Sequence, residues 1–75
     1  MKKYFIIYEV VKNEKGEIVD IINTYDNDKL KDVAEWLNID YSNVNKYIID
    51  NLDDINKIRH KQIKNNNYFI FKDYE

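Results

Sequence analysis

Residues Lys3 to Val11 carry apolar side chains at both odd and even positions, and a short chain has to bury both sets. Tyr4, Ile6, Tyr8 and Val10 fall on one side of an extended backbone. Phe5, Ile7 and Val11 fall on the other, together with Glu9. The run is rich in aromatic and β-branched residues and holds no breaker, which predicts a strand. Its two apolar faces predict that this strand is central, or covered on both sides. Asn13-Glu14-Lys15-Gly16 reads as a turn in which Gly16 supplies a positive φ. Glu17 to Tyr25, carrying Ile18, Val19, Ile21 and Ile22, is then the return strand, giving a hairpin over residues 3–25.

The 75 residues form one domain, 1–75, with a modest core. The chain has no Cys, so neither a disulfide nor a thiolate metal site is available to hold it. Proline is absent and Gly16 is the only glycine, so nothing reads as an interdomain linker. The apolar run Phe5 to Tyr8 is too short for a membrane span, and no membrane association and a cytoplasmic location are expected. The abundance of Asn, Ile, Lys and Tyr points to AT-rich coding sequence, as in a low-GC bacterium or its phage.

After the hairpin, Asp26-Asn27-Asp28 offers side-chain oxygens for a helix N-cap. Leu30, Val33, Ala34 and Leu37 follow at helical spacing, with Lys29, Lys31, Asp32 and Glu35 on the other face. Trp36 stands at the edge of the stripe, open to two readings, packing or an exposed contact. Asn38 is suited to the left-handed conformation that closes a helix, and Asp40 to capping the next. A second helix is expected from Tyr41 to about Asn51, turning Val44, Tyr47 and Ile48 inward. Asp53-Asp54 reads as the start of a short third helix with Ile55 and Ile58. Residues 59–67 either continue that helix or form a basic hairpin, so 53–67 is a short helix or a wing. Tyr68 to Lys72 closes the chain as a strand in one antiparallel sheet with the N-terminal hairpin.

The segment Asp32 to Ile48 resembles the helix-turn-helix of bacterial and phage DNA-binding proteins. Val33-Ala34, Leu37, Ile39, Val44, Lys46 and Ile48 occupy the matching positions; Asn38 stands at the turn glycine and Asp40 at the cap serine. With a hairpin before it and an aromatic strand after it, the chain is also similar to the DNA-binding repeat modules of intron-encoded homing endonucleases. The resemblance implies an α+β, winged-helix-like fold with the helix-turn-helix at 28–51, and DNA binding without catalysis.

Charge is unevenly spread. Residues 1–56 hold seven basic and twelve acidic side chains, and residues 57–75 five basic and two acidic. The net charge is -2, with the basic end at the C-terminus. Sequence-specific binding of double-stranded DNA, as a small transcriptional regulator, is the expected function. Tyr41, Ser42, Asn43 and Asn45 would face the groove, and Lys46 a phosphate or guanine. Lys57, Arg59, Lys61 and Lys64 would hold the backbone. A homodimer on a two-fold site is expected.

A second reading makes the helix-turn-helix a scaffold for a protein partner, as in a phage-type inhibitor of a host nuclease such as a CRISPR effector. A third is an accessory domain of a larger enzyme, against which the start Met1-Lys2-Lys3 argues. Enzymatic activity is not expected. Ser42 and His60 are the only residues of their kinds, no His/Cys cluster or glycine-rich phosphate loop exists, and no cofactor or metal is implied. His60, between Arg59 and Lys61, reads as a solvated surface residue.

Overall fold

A computed structural model describes residues 2–74. Strands β1 (Lys3–Lys12) and β2 (Ile18–Asn27) form the N-terminal hairpin, followed by helix α1 (Leu30–Trp36). A 3₁₀ helix (Tyr41–Tyr47) leads into β3 (Ile48–Ile49). A second 3₁₀ helix (Leu52–Lys57) precedes β4 (Lys61–Ile63) and β5 (Asn66–Tyr74). The strands form one mixed sheet in the order β2-β1-β5-β3, with β4 also paired to β5.

The two-sided strand at the N-terminus is internal, as its sequence requires. Ile7 lies opposite Tyr25 of β2 and opposite Ile70 of β5, both pairings antiparallel. The outer edge of β5 carries two short partners. β3 pairs with Ile70 and Phe71 in parallel, and β4 pairs with Asn66 to Tyr68 antiparallel.

Each face of the sheet has its own core. Phe5, Ile7 and Ile70 cluster with Val33, Ala34 and Leu37 of the helical segment and Val44 of the first 3₁₀ helix. On the opposite face Val10, Phe69 and Ile49 cluster with Ile55 of the second 3₁₀ helix. Phe69, Ile7, Leu37, Ile70, Val33 and Val44 are fully buried, and burying each such side chain contributes roughly 1.5–3 kcal/mol.

Local chemistry fixes the connections. In the β1–β2 loop the Asn13 side-chain oxygen accepts from the backbone N–H of Lys15 at 2.9 Å and of Glu17 at 3.0 Å. Gly16 there has φ 81°, a conformation open to glycine at no steric cost. At the start of α1, Asn27 accepts from the Lys29 N–H at 2.8 Å, and the residue preceding the helix, Lys29, makes no side-chain cap. Asn38, at φ 55°, ends the helix in the left-handed conformation. The Ile39 N–H returns to the Ala34 carbonyl and the Asn38 N–H to Glu35, both at 3.0 Å, the Schellman pattern.

The expected helix-turn-helix does not form. Among the described residues strand is the commonest structure, in a mixed five-stranded sheet with three short helices, so the winged-helix fold is also set aside. Tyr41 to Tyr47 reads YSNVNKY, in which Asn, Ser, Tyr and Val are middling or weak helix formers, and the segment winds as a 3₁₀ helix instead of α. The expected helix to Asn51 stops there because the β-branched pair Ile48-Ile49 joins the sheet. Val33, Ala34, Leu37 and Val44 are buried as the motif spacing requires, but they share their core with the sheet residues Phe5, Ile7 and Ile70. An apolar stripe specifies that a face is covered, and here a sheet supplies much of the cover. The third helix is the second 3₁₀ turn, capped by Asn51, whose side chain accepts from Asp53 N–H at 3.0 Å.

Residues 59–67 resolve as a hairpin. Lys64 and Asn65 have φ 49° and 73° between β4 and β5, the backbone signs of a two-residue type I′ turn. The C-terminal strand runs Asn66–Tyr74, longer than the expected Tyr68 to Lys72, and pairs antiparallel with β1 from Lys3 to Val10, but the parallel β3 makes the sheet mixed and not the expected antiparallel one. Among the described residues no helix is long and apolar enough to cross a membrane.

Candidate basic recess and its aromatic neighbour

The β4–β5 hairpin folds back beside the first 3₁₀ helix, and a polar recess of about 300 Å³ opens between them. Asn38, Ile39 and Asp40 line it from the connection after α1, Asn43, Lys46 and Tyr47 from the 3₁₀ helix, and Arg59 and Lys61 from β4 and its approach. Three cations thus meet one carboxylate, Asp40. The ion pairs among the described residues are Lys2–Asp28 at 3.8 Å and Lys57–Asp54 at 3.6 Å, and neither involves Lys46, Arg59 or Lys61. Asp40 precedes the 3₁₀ helix without a side-chain cap hydrogen bond, contrary to its expected capping role. Uncompensated positive charge in a concave polar site favours an anionic ligand.

Four of the nine residues proposed for DNA contact therefore share one site: Asn43, Lys46, Arg59 and Lys61. Tyr41, Ser42 and Asn45 are exposed on the same 3₁₀ helix, outside the recess lining. Lys57 lies elsewhere, beside Ile48, Ile49 and Ile58 and paired with Asp54. Lys64 occupies the β4–β5 turn.

Beside the recess is an aromatic group whose members are far apart in sequence. Lys61 stands directly opposite Tyr68 in the β4–β5 ladder, so their side chains share a face. The Tyr68 ring meets Trp36 edge-on at 5.2 Å, with planes at 71°. Trp36 also stacks on Tyr25 at 6.0 Å and 10°. Trp36 is nonetheless 40 % exposed, so it both packs and presents surface. Its partners lie on β2 and β5, and no local spacing links those positions to residue 36.

His60 departs from its expected solvated state. It is half-buried, its ring lies 6.1 Å from Phe69 in an edge contact, and its Nε2 is buried without a partner among the described residues. Burial lowers its pKa from the ordinary 6.5, the charge of Lys12 lowers it further, and a hydrogen bond with the Ile55 backbone opposes both. It stands with the core of the opposite face and not with the recess. Among the described residues no group of three or more His, Asp or Glu is placed to hold a metal ion.

No family model, curated protein or solved structure matches the chain.

Proposed function

We propose that this chain is a non-catalytic nucleic-acid-binding module that holds the phosphate backbone in the basic recess. One observation carries the reading: Lys46, Arg59 and Lys61 converge from separate segments on one recess without ion-pair partners among the described residues. Repeated phosphates are the ligand that such a cluster suits, because each neutralised phosphate releases counterions. Asn43 adds a neutral side chain able to donate to a phosphate oxygen or a base edge. The fold withdraws the recognition helix on which groove reading rested, and the three cations support contact with the phosphate backbone in its place.

Fluorescence anisotropy with labelled single-stranded and duplex oligonucleotides tests the proposal. Binding is expected at low salt, weakening steeply between about 50 and about 200 mM salt. Replacing Lys46, Arg59 and Lys61 together by Ala is expected to abolish it while circular dichroism stays unchanged. Absence of binding to either form at low salt, or full binding by the folded triple variant, would overturn the proposal.

A further inference from the structure

Resting on that reading, we infer that the nucleic acid held at the recess is single-stranded, with a base stacked on Trp36 while its backbone lies over Lys61 and Arg59. Base faces in a duplex are buried against each other, so an exposed aromatic ring gains little there. Bases of a single strand are free to stack, and proteins that bind single strands combine a cationic track with aromatic platforms.

Both parts occur here at adjacent positions. Lys61 is one strand spacing, about 4.8 Å, from Tyr68. Tyr68 in turn braces Trp36 edge-on, and Tyr25 stacks nearly parallel to it. Trp36 keeps two-fifths of its surface exposed beside these contacts, and that exposed part is the area offered to a base. Its orientation is set by the two tyrosines, so little side-chain entropy remains to be lost when a base stacks on it.

The charges give the bound strand a direction across the sheet. Glu9 stands opposite Tyr68 on the β1 side, whereas Lys61 stands opposite it on the β4 side. Phosphates are therefore drawn to the β4 side of the rings and repelled from the β1 side. Tyr41, 59 % exposed and next to Asp40 of the recess lining, offers a further ring on the loop side.

Trp36 is the sole tryptophan, so its emission reports directly on the stack. Wild-type protein is titrated with oligo(dT), with oligo(U), with a blunt duplex of equal length and with inorganic polyphosphate, following both anisotropy and tryptophan emission. Oligo(dT) or oligo(U) is expected to bind more tightly than the duplex and to quench Trp36, and the difference between the two reports the ribose hydroxyl and the thymine methyl together. Polyphosphate, which has no bases, is expected to bind without that quenching. Trp36→Leu is expected to weaken single-strand binding by at least about fivefold with little effect on the polyphosphate complex. Equal affinity for strand and duplex with Trp36 emission unmoved, when both complexes still depend on Arg59 and Lys61, overturns the inference and leaves nucleic-acid binding in place. Absence of binding to strand and duplex alike removes the proposed function itself.

Discussion

The backbone N–H of Ile39 reaches back 3.0 Å to the carbonyl of Ala34, across a residue held at φ 55°. This bond ends α1 and turns the chain toward the recess, so the loop that lines the site is set by Asn38. Asn38→Gly is expected to keep or slightly raise stability. Asn38→Val is expected to cost about 1–2 kcal/mol, because a branched Cβ clashes in the left-handed region. Urea denaturation measures both, and a valine variant as stable as wild type would contradict the turn geometry.

Ala34 is 2 % exposed and neighbouring Glu35 is exposed. Ala34→Leu is expected to destabilise the protein by roughly 1–3 kcal/mol through overpacking between α1 and the sheet. Glu35→Leu should change the thermal midpoint little. Equal midpoints for the two variants would show that the helix is rotated from the orientation described.

Stability should fall with acid partly through His60. Its folded pKa is depressed, mainly by burial, while the unfolded chain takes up its proton near the ordinary 6.5. Between 6.5 and the depressed folded pKa the unfolded state binds more protons than the folded state, so the neutral ring's contribution is intact above 6.5 and is lost as pH falls from there through the folded pKa. His60→Gln should flatten the unfolding free energy between neutral pH and the onset of carboxylate titration. A wild-type profile already flat across that window would show that His60 titrates normally.

Lys57 and Lys61 are both C-terminal cations, but the structure separates their roles. Lys61 lines the recess, whereas Lys57 pairs with Asp54 in a different hollow. Lys61→Ala should reduce the slope of log affinity against log salt by about 0.7–0.9, the share of one phosphate, while Lys57→Ala leaves it unchanged. Equal slopes for the two variants would place the bound backbone elsewhere.

Much of the sheet was legible in residue order. Phe5 and Ile7 against Ile6, Tyr8 and Val10 announced a strand covered on both sides, and Gly16 marked its turn. The aromatic stretch around Phe69 and Phe71 identified the strand that completes it. The helical half was harder to read, because Val33, Ala34, Leu37 and Val44 become buried whether a second helix or a sheet covers them. Nothing periodic marks Ile48-Ile49 as a two-residue parallel strand, since that pairing depends on β5 arriving from the far end of the chain. In the site, Asn43, Lys46, Arg59 and Lys61 could be named from charge and motif, but their meeting depends on the fold-back at Lys64-Asn65. The Tyr25–Trp36–Tyr68 group left no sequence signal, because each member comes from a different element.

β1 and β5 are the first and last strands, yet they lie side by side with Lys3 opposite Tyr74, and the Tyr4 hydroxyl donates to Asp73 at 3.0 Å. The middle of the sheet is therefore assembled from the two ends of the described chain. The β1 edge that faces β5 has no strand partner until β5 docks. Closing so large a loop before its contacts can form is entropically costly. Folding should thus be slow for a chain of this length, and a fragment ending before β5 should gather into aggregates instead of a partial fold.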